Sequence, residues 1–359
     1  MPNLSRLGRH ALTYFATTGI LLLLLAGILL WLLIDKYNDT RKLDIHHVVA
    51  TFLALALGHT LLITGVVAYL ASRKGYPDHP LPDLPKATTV ALIPAYNEEK
   101  TIANVVKEAK KFVDLVIVVD DGSRDATATV AEEAGAVVVR HPRNMGYGAA
   151  VKTLMRAALA ADAQYAVLLD ADGQHDPTDI PKFLQALKSG ADQTASRIQR
   201  RRLGYKALAL LHRILIAKLS DPFNGYRAFS RKALETPEQD FDPSYGVETE
   251  INYQLRKTKT AEISTTVKYH EASSKANPLL QGLNLLWSIV WTALTKRPAL
   301  TLTLGATSLA TSITLFIYAL TIFNATRYIR LTYTTLAILL EIVATLLIAI
   351  AITSATTRK

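Results

Sequence analysis

Residues 165–177 read YAVLLDADGQHDP, an apolar run that stops at Asp170 and gives way to polar side chains. The segment 165–169 has the length and apolar content of a buried strand, and Gly173 and Pro177 are typical of the loop that follows a strand. The polar side chains are therefore expected where the strand ends. The same arrangement, an apolar strand followed by a polar loop, occurs earlier in the chain as well.

The residues after this strand predict a metal site. Asp170 and Asp172 are one residue apart, so both carboxylates project to the same side of an extended backbone, with the amide oxygen of Gln174 next in the row. Such hard oxygen donors suit Mg²⁺ or Mn²⁺, which take further ligands from water and substrate phosphates. A solvated acidic turn is the alternative. His175 and Asp176 are interpreted as plain loop residues.

The alternation of strands and helices predicts a doubly wound α/β fold with a mostly parallel sheet. Short apolar runs at 89–93, 115–119, 136–140 and 165–169 alternate with helical patterns at 101–112, 125–134, 147–161 and 180–189. Strands that are separated by helices of about 10 to 15 residues pair in parallel, and the helices cover the faces of the sheet.

Polar loops follow all four predicted strands. The first three are PAYNE at 94–98, DDGSRD at 120–125 and RNMGYG at 143–148. Each loop alone is a common cap or turn, but ligands of such sheets bind beyond the carboxyl ends of the strands. Four polar loops at one edge therefore predict a nucleotide-type site. Neither G-x-G-x-x-G nor G-x-x-x-x-G-K-[ST] occurs, which argues against dinucleotide oxidoreductases and P-loop nucleotidases.

Four apolar segments predict membrane-spanning helices, two before the α/β domain and two after it. They are 12–34, 48–71, 299–323 and 331–353, and each is long enough for a bilayer, which needs about 20 residues. Basic residues flank them on one side, at Arg6, Arg9, Arg73 and Lys74. Because positive flanks stay inside, the sequence predicts a multi-pass membrane protein with its α/β domain and both termini in the cytoplasm.

The charge of the chain favours a lipid or phosphate partner over nucleic acid. The formal net charge is +10, but no zinc-finger, RNA-binding or helix-turn-helix pattern accompanies it. Basic residues cluster at 73–74, 197–202 and 296–297, where anionic lipid or phosphate would lie. The absence of cysteine excludes disulfides, thiolate metal sites and cysteine nucleophiles. Oligomeric state is left open.

These patterns divide the chain into segments. We expect two membrane helices in 1–75, a Pro-rich linker in 76–87, the cytoplasmic domain in 88–276, an interface helix in 277–297 and two further membrane helices in 298–359. The four prolines of the linker predict a stiff, extended spacer that lifts the domain off the membrane.

Two amphipathic helices are expected at the membrane surface. Polar residues recur at steps of three and four along 277–297, at Gln281, Asn284, Ser288, Thr292 and Thr295. One polar stripe on an otherwise apolar helix is typical of a helix in the membrane interface. A spanning helix is the alternative, and it would move the last two helices to the other side. Residues 203–219, with Lys206 and Arg213 on one face, are interpreted as a second interface helix or an ordinary domain helix.

Seven sequence blocks occur together in one order: VALIPAYNEEKTI (90–102), VIVVDDGSRDAT (116–127), NMGYGAAVKT (144–153), LLDADGQHDP (168–177), SR (196–197), DPFNGYRAFSR (221–231) and SSK (273–275). With these blocks the chain from 88 to 275 resembles the family-2 glycosyltransferases, and within them the polyprenyl-phosphate branch typified by dolichyl-phosphate mannose synthase. The resemblance implies the GT-A fold, an α/β sandwich with a D-x-D metal motif.

The resemblance also implies roles for individual residues. The nucleoside of a sugar nucleotide would be held by Pro94, Tyr96, Asn97, Glu98, Asp120, Asp121 and Gly122. Asp170, Asp172 and Gln174 would bind the Mg²⁺ or Mn²⁺ that bridges its diphosphate. Phosphates of the acceptor or of the leaving nucleotide would be bound by Arg197, Arg213, Arg227, Ser274 and Lys275, with Asp172, Arg197 and Arg227 as the catalytic residues. A surface ion pair is the alternative for Arg197 and Arg227.

The implied reaction moves one hexose from a nucleotide sugar, with GDP-mannose favoured, to dolichyl or another polyprenyl phosphate, with inversion. A lipid phosphate is already anionic at neutral pH, so its attack needs no protein general base. UDP-glucose as donor, another lipid or glycan as acceptor, and a non-catalytic scaffold are the alternatives. Gln281 does not begin a Q-x-x-R-W motif, which disfavours polymer synthesis. Glu248 and Glu250 are interpreted as a solvated helix face.

Overall fold

The computed structural model describes residues 4–40, 51, 54–55, 58–59, 61–63, 65, 79–197, 203–236, 246–265, 278–328 and 331–356. The chain divides into two compact units. One comprises Met1–Lys74 and Leu294–Lys359, and the other is Gly75–Ala293. Each unit is described by itself.

The strands are β1 (Thr89–Ala95), β2 (Leu115–Asp120), β3 (Val137–Arg140), β4 (Tyr165–Leu168), β5 (Gln193–Arg197), β6 (Arg227–Ser230) and β7 (Thr260–Ser264). The helices are α1 (Leu4–Thr40), α2 (Ile102–Ala109), α3 (Thr127–Glu133), α4 (Tyr147–Ala160), α5 (Ile180–Lys188), α6 (Leu203–Leu215), α7 (Arg231–Leu234), α8 (Val247–Gln254), α9 (Pro278–Thr295), α10 (Pro298–Thr326) and α11 (Leu331–Thr356). The predicted strands and helices of the α/β domain are confirmed to within four residues at each end.

The sheet is mixed, in the order β3-β2-β1-β4-β6-β5-β7. The strands β3, β2, β1 and β4 pair in parallel as predicted. However, β6 is antiparallel to both β4 and β5, while β7 is parallel to β5. Four of the six pairings between the described strands are parallel, so the prediction of a mostly parallel sheet is confirmed, and β6 is the one reversed strand among them. The direction of a strand depends on its connection, which the residues of the strand do not encode.

Two apolar layers cover the faces of the sheet. On one face Leu92 and Ile117 pack against Leu154 of α4, and on the other Ile93 packs against Phe183 of α5, all fully buried. Strands that are covered on both faces read as continuous apolar runs, which is why these strands were visible in the sequence.

The Pro-rich segment is docked on the domain along its described residues, 79–87. Its apolar side chains Leu81, Leu84 and Ala87 pack against the α4 layer. Arg156 Nη1 donates to the carbonyl oxygen of His79 at 3.0 Å. The described part of the linker therefore packs on the domain, whereas the sequence predicted a spacer that lifts the domain off the membrane, because Leu81, Leu84 and Ala87 are apolar and cover the core.

Helix α9 presents its polar stripe to the domain. Ser288 and Thr292 are buried, whereas Trp287 is 63% exposed, together with Leu283 and Leu286. On its inner side Ile289 packs in a cluster with Ile216 and Tyr253. The outer face of the helix is thus apolar, which a surface in water would not favour.

Helix α6 packs on the same cluster through Leu208 and Leu211, and its opposite side is mixed in character. Leu210 and Ile214 are exposed beside the exposed Lys206 and Arg213. Basic side chains with apolar neighbours are typical of interface helices. A membrane location for α6 and α9 remains a prediction.

Among the residues that the structure describes, three helical stretches are long and apolar enough to cross a membrane: Thr17–Thr40, Pro298–Phe323 and Thr332–Ala351. The fourth predicted span, 48–71, lies mostly outside the described residues. Helices α10 and α11 pack through small residues, since a Cβ on Gly305 would lie 2.8 Å from Ile348 Cγ1. Glu341 is an acidic residue within the predicted span 331–353. It has a polar neighbour, because its Oε2 lies 3.4 Å from His59 Nδ1. The number of spans and their orientation remain predictions.

The exposed face of α9 gives a test of its location. In a variant that retains Trp287 alone, with Trp31→Phe and Trp291→Phe, we expect strong fluorescence quenching by brominated phosphatidylcholine, because the ring is exposed on an apolar face. A variant that retains Trp31 alone, within the apolar stretch Thr17–Thr40, serves as the reference. Quenching of Trp31 without quenching of Trp287 would place α9 in water.

Candidate active site at the carboxyl edge of the sheet

The loops after β1 and β2 are tied together through Asn97. This residue has a positive φ of 57°, and its side-chain oxygen Oδ1 accepts from the backbone N–H of Arg124 at 2.9 Å. Its own backbone N–H donates to Ser123 Oγ at 2.9 Å, and the next N–H, that of Glu98, donates to Thr127 Oγ1 at 2.7 Å. Asparagine is one of the few non-glycine residues that adopt this conformation readily, because its short polar side chain hydrogen-bonds locally. Asn97 thus shapes the loops, while the neighbouring Tyr96 is exposed.

The loops after β2 and β3 are tied together through Asp121, which is buried. Its Oδ1 accepts from the N–H of Met145 at 2.9 Å, and its Oδ2 accepts from the N–H of Gly146 at 2.8 Å. Gly122 has a φ of 73°, and a Cβ there would lie 2.4 Å from the carbonyl carbon of Arg143. Asp121 and Gly122 thus hold the third loop in place, and their expected role in nucleoside binding stays a prediction. Asp120, also buried, accepts from the N–H of Ser123 at 3.1 Å.

Asp170 and Asp172 lie at the end of β4 and influence each other electrostatically. Burial raises the pKa of Asp170 to about 7, and the charge of Asp172 adds to the shift, although 34% of the Asp170 side chain is accessible. Burial also raises the pKa of Glu98, with a hydrogen bond from Thr101 opposing the shift and Asp172 and Asp170 adding to it. The three carboxylates therefore create a negative potential at this edge.

The donor set fits a hydrated divalent cation that is completed by substrate phosphates. Gly225 lies next to Asp170, since a Cβ added at Gly225 would be 3.5 Å from both carboxylate oxygens, so no side chain of this residue fills the space beside them. Asp172 Oδ1 accepts from the backbone N–H of Gln174 at 2.9 Å, so the loop turns tightly around the pair. Across the described ranges, no group of three or more His, Asp or Glu side chains is placed to hold a metal ion. Two carboxylates with phosphate and water ligands are the usual set for Mg²⁺.

His175 supports this loop from behind. It is buried, its Nδ1 accepts from the backbone N–H of Asp170 at 3.1 Å, and its ring stacks on Tyr226 at 4.8 Å between centroids. The Tyr226 hydroxyl donates to the carbonyl oxygen of Asp176 at 2.9 Å. The interpretation of His175 as a plain loop residue is therefore corrected. No periodic pattern marks it in the sequence, because its partners are a backbone group and a distant ring.

Arg227 is fully buried, in contrast to its predicted role as a phosphate ligand. Its Nε donates to Asn224 O at 2.8 Å, Nη2 to Pro222 O at 2.9 Å and Nη1 to Asn252 Oδ1 at 2.5 Å. The guanidinium thus clamps the loop before β6 onto α8. Burial lowers its pKa and the charge of Glu248 opposes the shift. A group enclosed in this way is not placed to contact a ligand.

The other predicted phosphate ligands are on the surface or outside the described residues. Arg197 ends β5 and is exposed, with Nη2 at 3.4 Å from Ser264 Oγ. Arg213 is exposed on α6, and Ser274 and Lys275 fall outside the described residues.

Helix α8 is not a solvated face, so that interpretation is wrong. Glu250 is buried, and Glu248 is partly buried. Burial raises the pKa of Glu248, with the charge of Arg227 lowering it and that of Asp170 raising it. Glu248 therefore lies within electrostatic reach of Asp170. Its position in the sequence, directly after Val247 at the start of α8, does not indicate this proximity.

Substitution of Arg227 should destabilise the protein far more than substitution of Arg197. Arg227→Met should lower the free energy of unfolding by about 3 to 5 kcal/mol, because it leaves buried carbonyl groups and Glu248 without a partner. Arg197→Met, on the exposed end of β5, should change it by less than about 0.5 kcal/mol. Thermal unfolding of both variants measures this, and equal shifts would contradict the assignment.

His212 should make the domain sensitive to acid. It is fully buried on α6, and burial, with the charge of Arg227, lowers its pKa from 6.5 to about 3. Below pH 6.5 the unfolded chain takes up a proton that the folded chain refuses, so stability is present above 6.5 and is lost toward pH 3, by up to about 1.4 kcal/mol per pH unit.

The measurement is the unfolding temperature between pH 7 and pH 5 for the native chain and for His212→Gln. The native chain should lose more stability than the variant over this range, because carboxylate titrations are common to both. Parallel curves for the two proteins would show that His212 does not contribute.

Comparison with known proteins agrees with this arrangement. Residues 90–245, from β1 through β6, match the domain "Glycosyl transferase family 2". The chain is 33% identical to a UDP-N-acetylglucosamine–dolichyl-phosphate N-acetylglucosaminyltransferase of Methanococcus voltae, over 40% of this chain and 70% of that protein. It is 31% identical to the glycosyltransferase AglJ of Haloferax volcanii, over 63% of this chain and 79% of that protein.

Among solved structures, the chain is similar to glucosyl-3-phosphoglycerate synthase from Mycobacterium tuberculosis. The identity is 26%, the match covers 58% of this chain and 80% of that chain, and the TM-score is 0.49. The family assignment does not depend on this likeness. It follows from the matched domain, which contains the strand-end loops and the carboxylate pair, and from relatives that are matched over most of their length. The chain belongs to glycosyltransferase family 2.

Proposed function

We propose that this protein transfers one sugar from a nucleotide sugar to a polyprenyl phosphate at a membrane surface. The observation that carries the proposal is the position of Asp170 and Asp172, at the edge where the loops after β1, β2 and β3 are tied together. Relatives whose names include dolichyl phosphate or undecaprenyl phosphate support a lipid phosphate as acceptor.

The loops after β1 and β2 are proposed to bind the nucleoside. Tyr96 is the exposed aromatic side chain of this edge, and a ring of this kind can stack on a base. Pro94 and Glu98 flank it, and Asp120 lies across from them on β2. Asn97, Asp121 and Gly122 act through loop shape, since their hydrogen bonds and close approach are internal.

Asp170, Asp172 and the Gln174 amide are proposed to hold Mg²⁺ or Mn²⁺ against the diphosphate. When bound, the cation stabilises the charge that develops on the leaving diphosphate. The carboxylates supply hard oxygen ligands, and His175 fixes the backbone from which Asp170 projects. Because Asp170 and Asp172 repel each other without a cation, the site is suited to bind one together with its anionic donor.

The acceptor phosphate is proposed to approach from the side of Arg197 and Arg213, with Ser274 and Lys275 as further ligands. One phosphate oxygen forms the bond to the anomeric carbon as the bond to the nucleoside diphosphate breaks, so the anomeric centre inverts. No proton has to be removed from the acceptor. Glu248 is proposed to contact sugar hydroxyls, and its electrostatic proximity to Asp170 supports this.

The membrane arrangement is proposed as the sequence predicts it. Helix pairs lie before and after the domain, and α6 and α9 lie in the interface on the cytoplasmic side, with both termini on that side. Their exposed apolar residues, such as Leu210 and Trp287, support a lipid contact.

The donor is proposed to be a hexose nucleotide, with GDP-mannose favoured by the family resemblance. UDP-N-acetylglucosamine enters as a second candidate, because the name of the relative from Methanococcus voltae includes it. UDP-glucose and a different lipid or glycan acceptor remain the further alternatives.

The test is to incubate the purified chain with Mn²⁺, dolichyl phosphate and each of these labelled donors. We expect one donor to give a glycolipid that carries a single sugar, and Asp172→Asn to lower the rate by at least about a hundredfold through loss of a metal ligand. The mass of the product distinguishes a lipid phosphate from another acceptor. Absence of product with every donor would contradict the proposal.

Asp162→Asn is the matched control for Asp172→Asn. Asp162 precedes the other end of β4 and adopts a positive φ of 61°, which asparagine also tolerates. It should retain the native rate, and its unfolding temperature should fall only slightly, because the ion pairs of Asp162 with Lys86 and Arg231 lie at the surface. If both variants lost activity equally, the effect of Asp172 would be one of folding.

A further inference from the structure

His141 lies behind the active-site loops, directly after β3, and is buried. Its Nδ1 lies 2.6 Å from Asp121 Oδ1, and its Nε2 lies 3.0 Å from the hydroxyl oxygen of Thr153 on α4. An ionised carboxylate can only accept, so Nδ1 carries the proton and donates it. In the neutral ring Nε2 then accepts from the Thr153 hydroxyl. All three side chains are buried, and together they form a relay from α4 to Asp121.

Through Asp121, this relay holds the loop that precedes α4. Asp121 receives the backbone N–H groups of Met145 and Gly146, one on each oxygen. Gly146 has a φ of 94°, and its carbonyl oxygen accepts from the N–H of Ala149 at 3.0 Å, so it also starts the helix. The relay therefore fixes the backbone at the point where the loop becomes α4.

The next residue connects this backbone to the carboxylate pair. The Tyr147 hydroxyl lies 3.1 Å from the Cβ position of Gly225, and the two oxygens of Asp170 lie 3.5 Å from the same point. Burial raises the pKa of Tyr147 well above its usual range, and the charge of Asp170 adds to the shift, so the phenol stays protonated. A displacement of the start of α4 would thus move a hydroxyl that lies beside a proposed metal ligand.

The relay is also covered from the side of the linker. The ring of His79 meets that of His141 edge-on, with 5.2 Å between centroids, and Arg156 holds the carbonyl oxygen of His79 at 3.0 Å. This contact keeps water from the imidazole, and hydrogen bonds in such a dry setting are strong.

We infer that His141 is a positioning residue for the donor site. Through Asp121 it holds the loop 143–146 and the start of α4 in the conformation that binds the nucleoside diphosphate, and it does not itself touch the substrate. The inference rests on the proposed function for the identity of the ligand, but the contacts of the loop stand without it. The affinity for the ligand falls in proportion to the fraction of molecules that have the competent loop.

Two pairs of variants test the relay in the full chain. His141→Leu removes both hydrogen bonds of the ring, and Thr153→Val removes the hydroxyl that orients it, while Thr153→Ser keeps that hydroxyl. Val151→Ala is the control, because Val151 is fully buried on the same helix and its side chain forms no hydrogen bond to the relay.

The first readout is amide hydrogen exchange at residues 145 and 146, which needs no ligand. His141→Leu and Thr153→Val should exchange these two amides at least about tenfold faster than the native chain, since a loop that has lost its support opens more often. Thr153→Ser should exchange them at the native rate. Val151→Ala should lower the unfolding temperature without a selective effect on them. Native exchange rates in His141→Leu would overturn the inference.

The second readout is the binding of UDP and of GDP in the presence of Mn²⁺, followed by kinetics with the donor that turns over. His141→Leu should raise the dissociation constant and KM by about tenfold to a hundredfold, as expected for a lost hydrogen bond to a charged group, and change kcat by much less. A fall in kcat of about tenfold to a hundredfold with an unchanged KM would overturn the positioning role. If the native chain bound neither nucleotide, the proposed function would fail, and the exchange rates would still decide whether the relay holds the loop.

Discussion

Hydrogen bonds from backbone N–H groups to side-chain oxygens hold the carboxyl edge of the sheet together. Asn97 receives an N–H of the second loop, Asp121 receives two of the third, and Asp172 receives one of its own loop. Each of these bonds pairs a loop N–H with a side-chain oxygen and so restricts both the loop and the side chain. The ligand-binding groups at this edge project from a framework that is already determined.

The charges of the site are arranged in layers. The carboxylates of Asp170 and Asp172 lie at the accessible edge, where a cation and phosphates can complete them. Behind them Arg227 is enclosed by Asn224, Pro222 and Asn252, with Glu248 near enough to oppose the effect of burial on its pKa. A charge that is buried with its hydrogen bonds satisfied is strongly destabilising to remove, so it serves the fold.

The exposed surfaces of α6 and α9 carry large apolar side chains. Both helices pack inward on Ile216 and Tyr253 and expose leucine, isoleucine or tryptophan outward. In α9 the polar stripe that includes Ser288 and Thr292 faces the domain. An apolar face that is left open in this way is stable where the surroundings are apolar too.

The sequence by itself determined the first four strands of the α/β domain and the helices that follow them, the polar loops at the strand ends and the carboxylate pair, because periodicity and turn residues are local properties of the chain. The strands β5, β6 and β7 were found only in the structure. Only the tertiary structure decided that β6 runs antiparallel, that Arg227 points inward and that Asp121 binds Met145 and Gly146. These outcomes depend on which distant segments meet, and the same residue type can serve a ligand or a loop. For that reason His141 was not singled out in the sequence and His175 was interpreted as a plain loop residue, since their partners are separated from them by up to 51 positions along the chain.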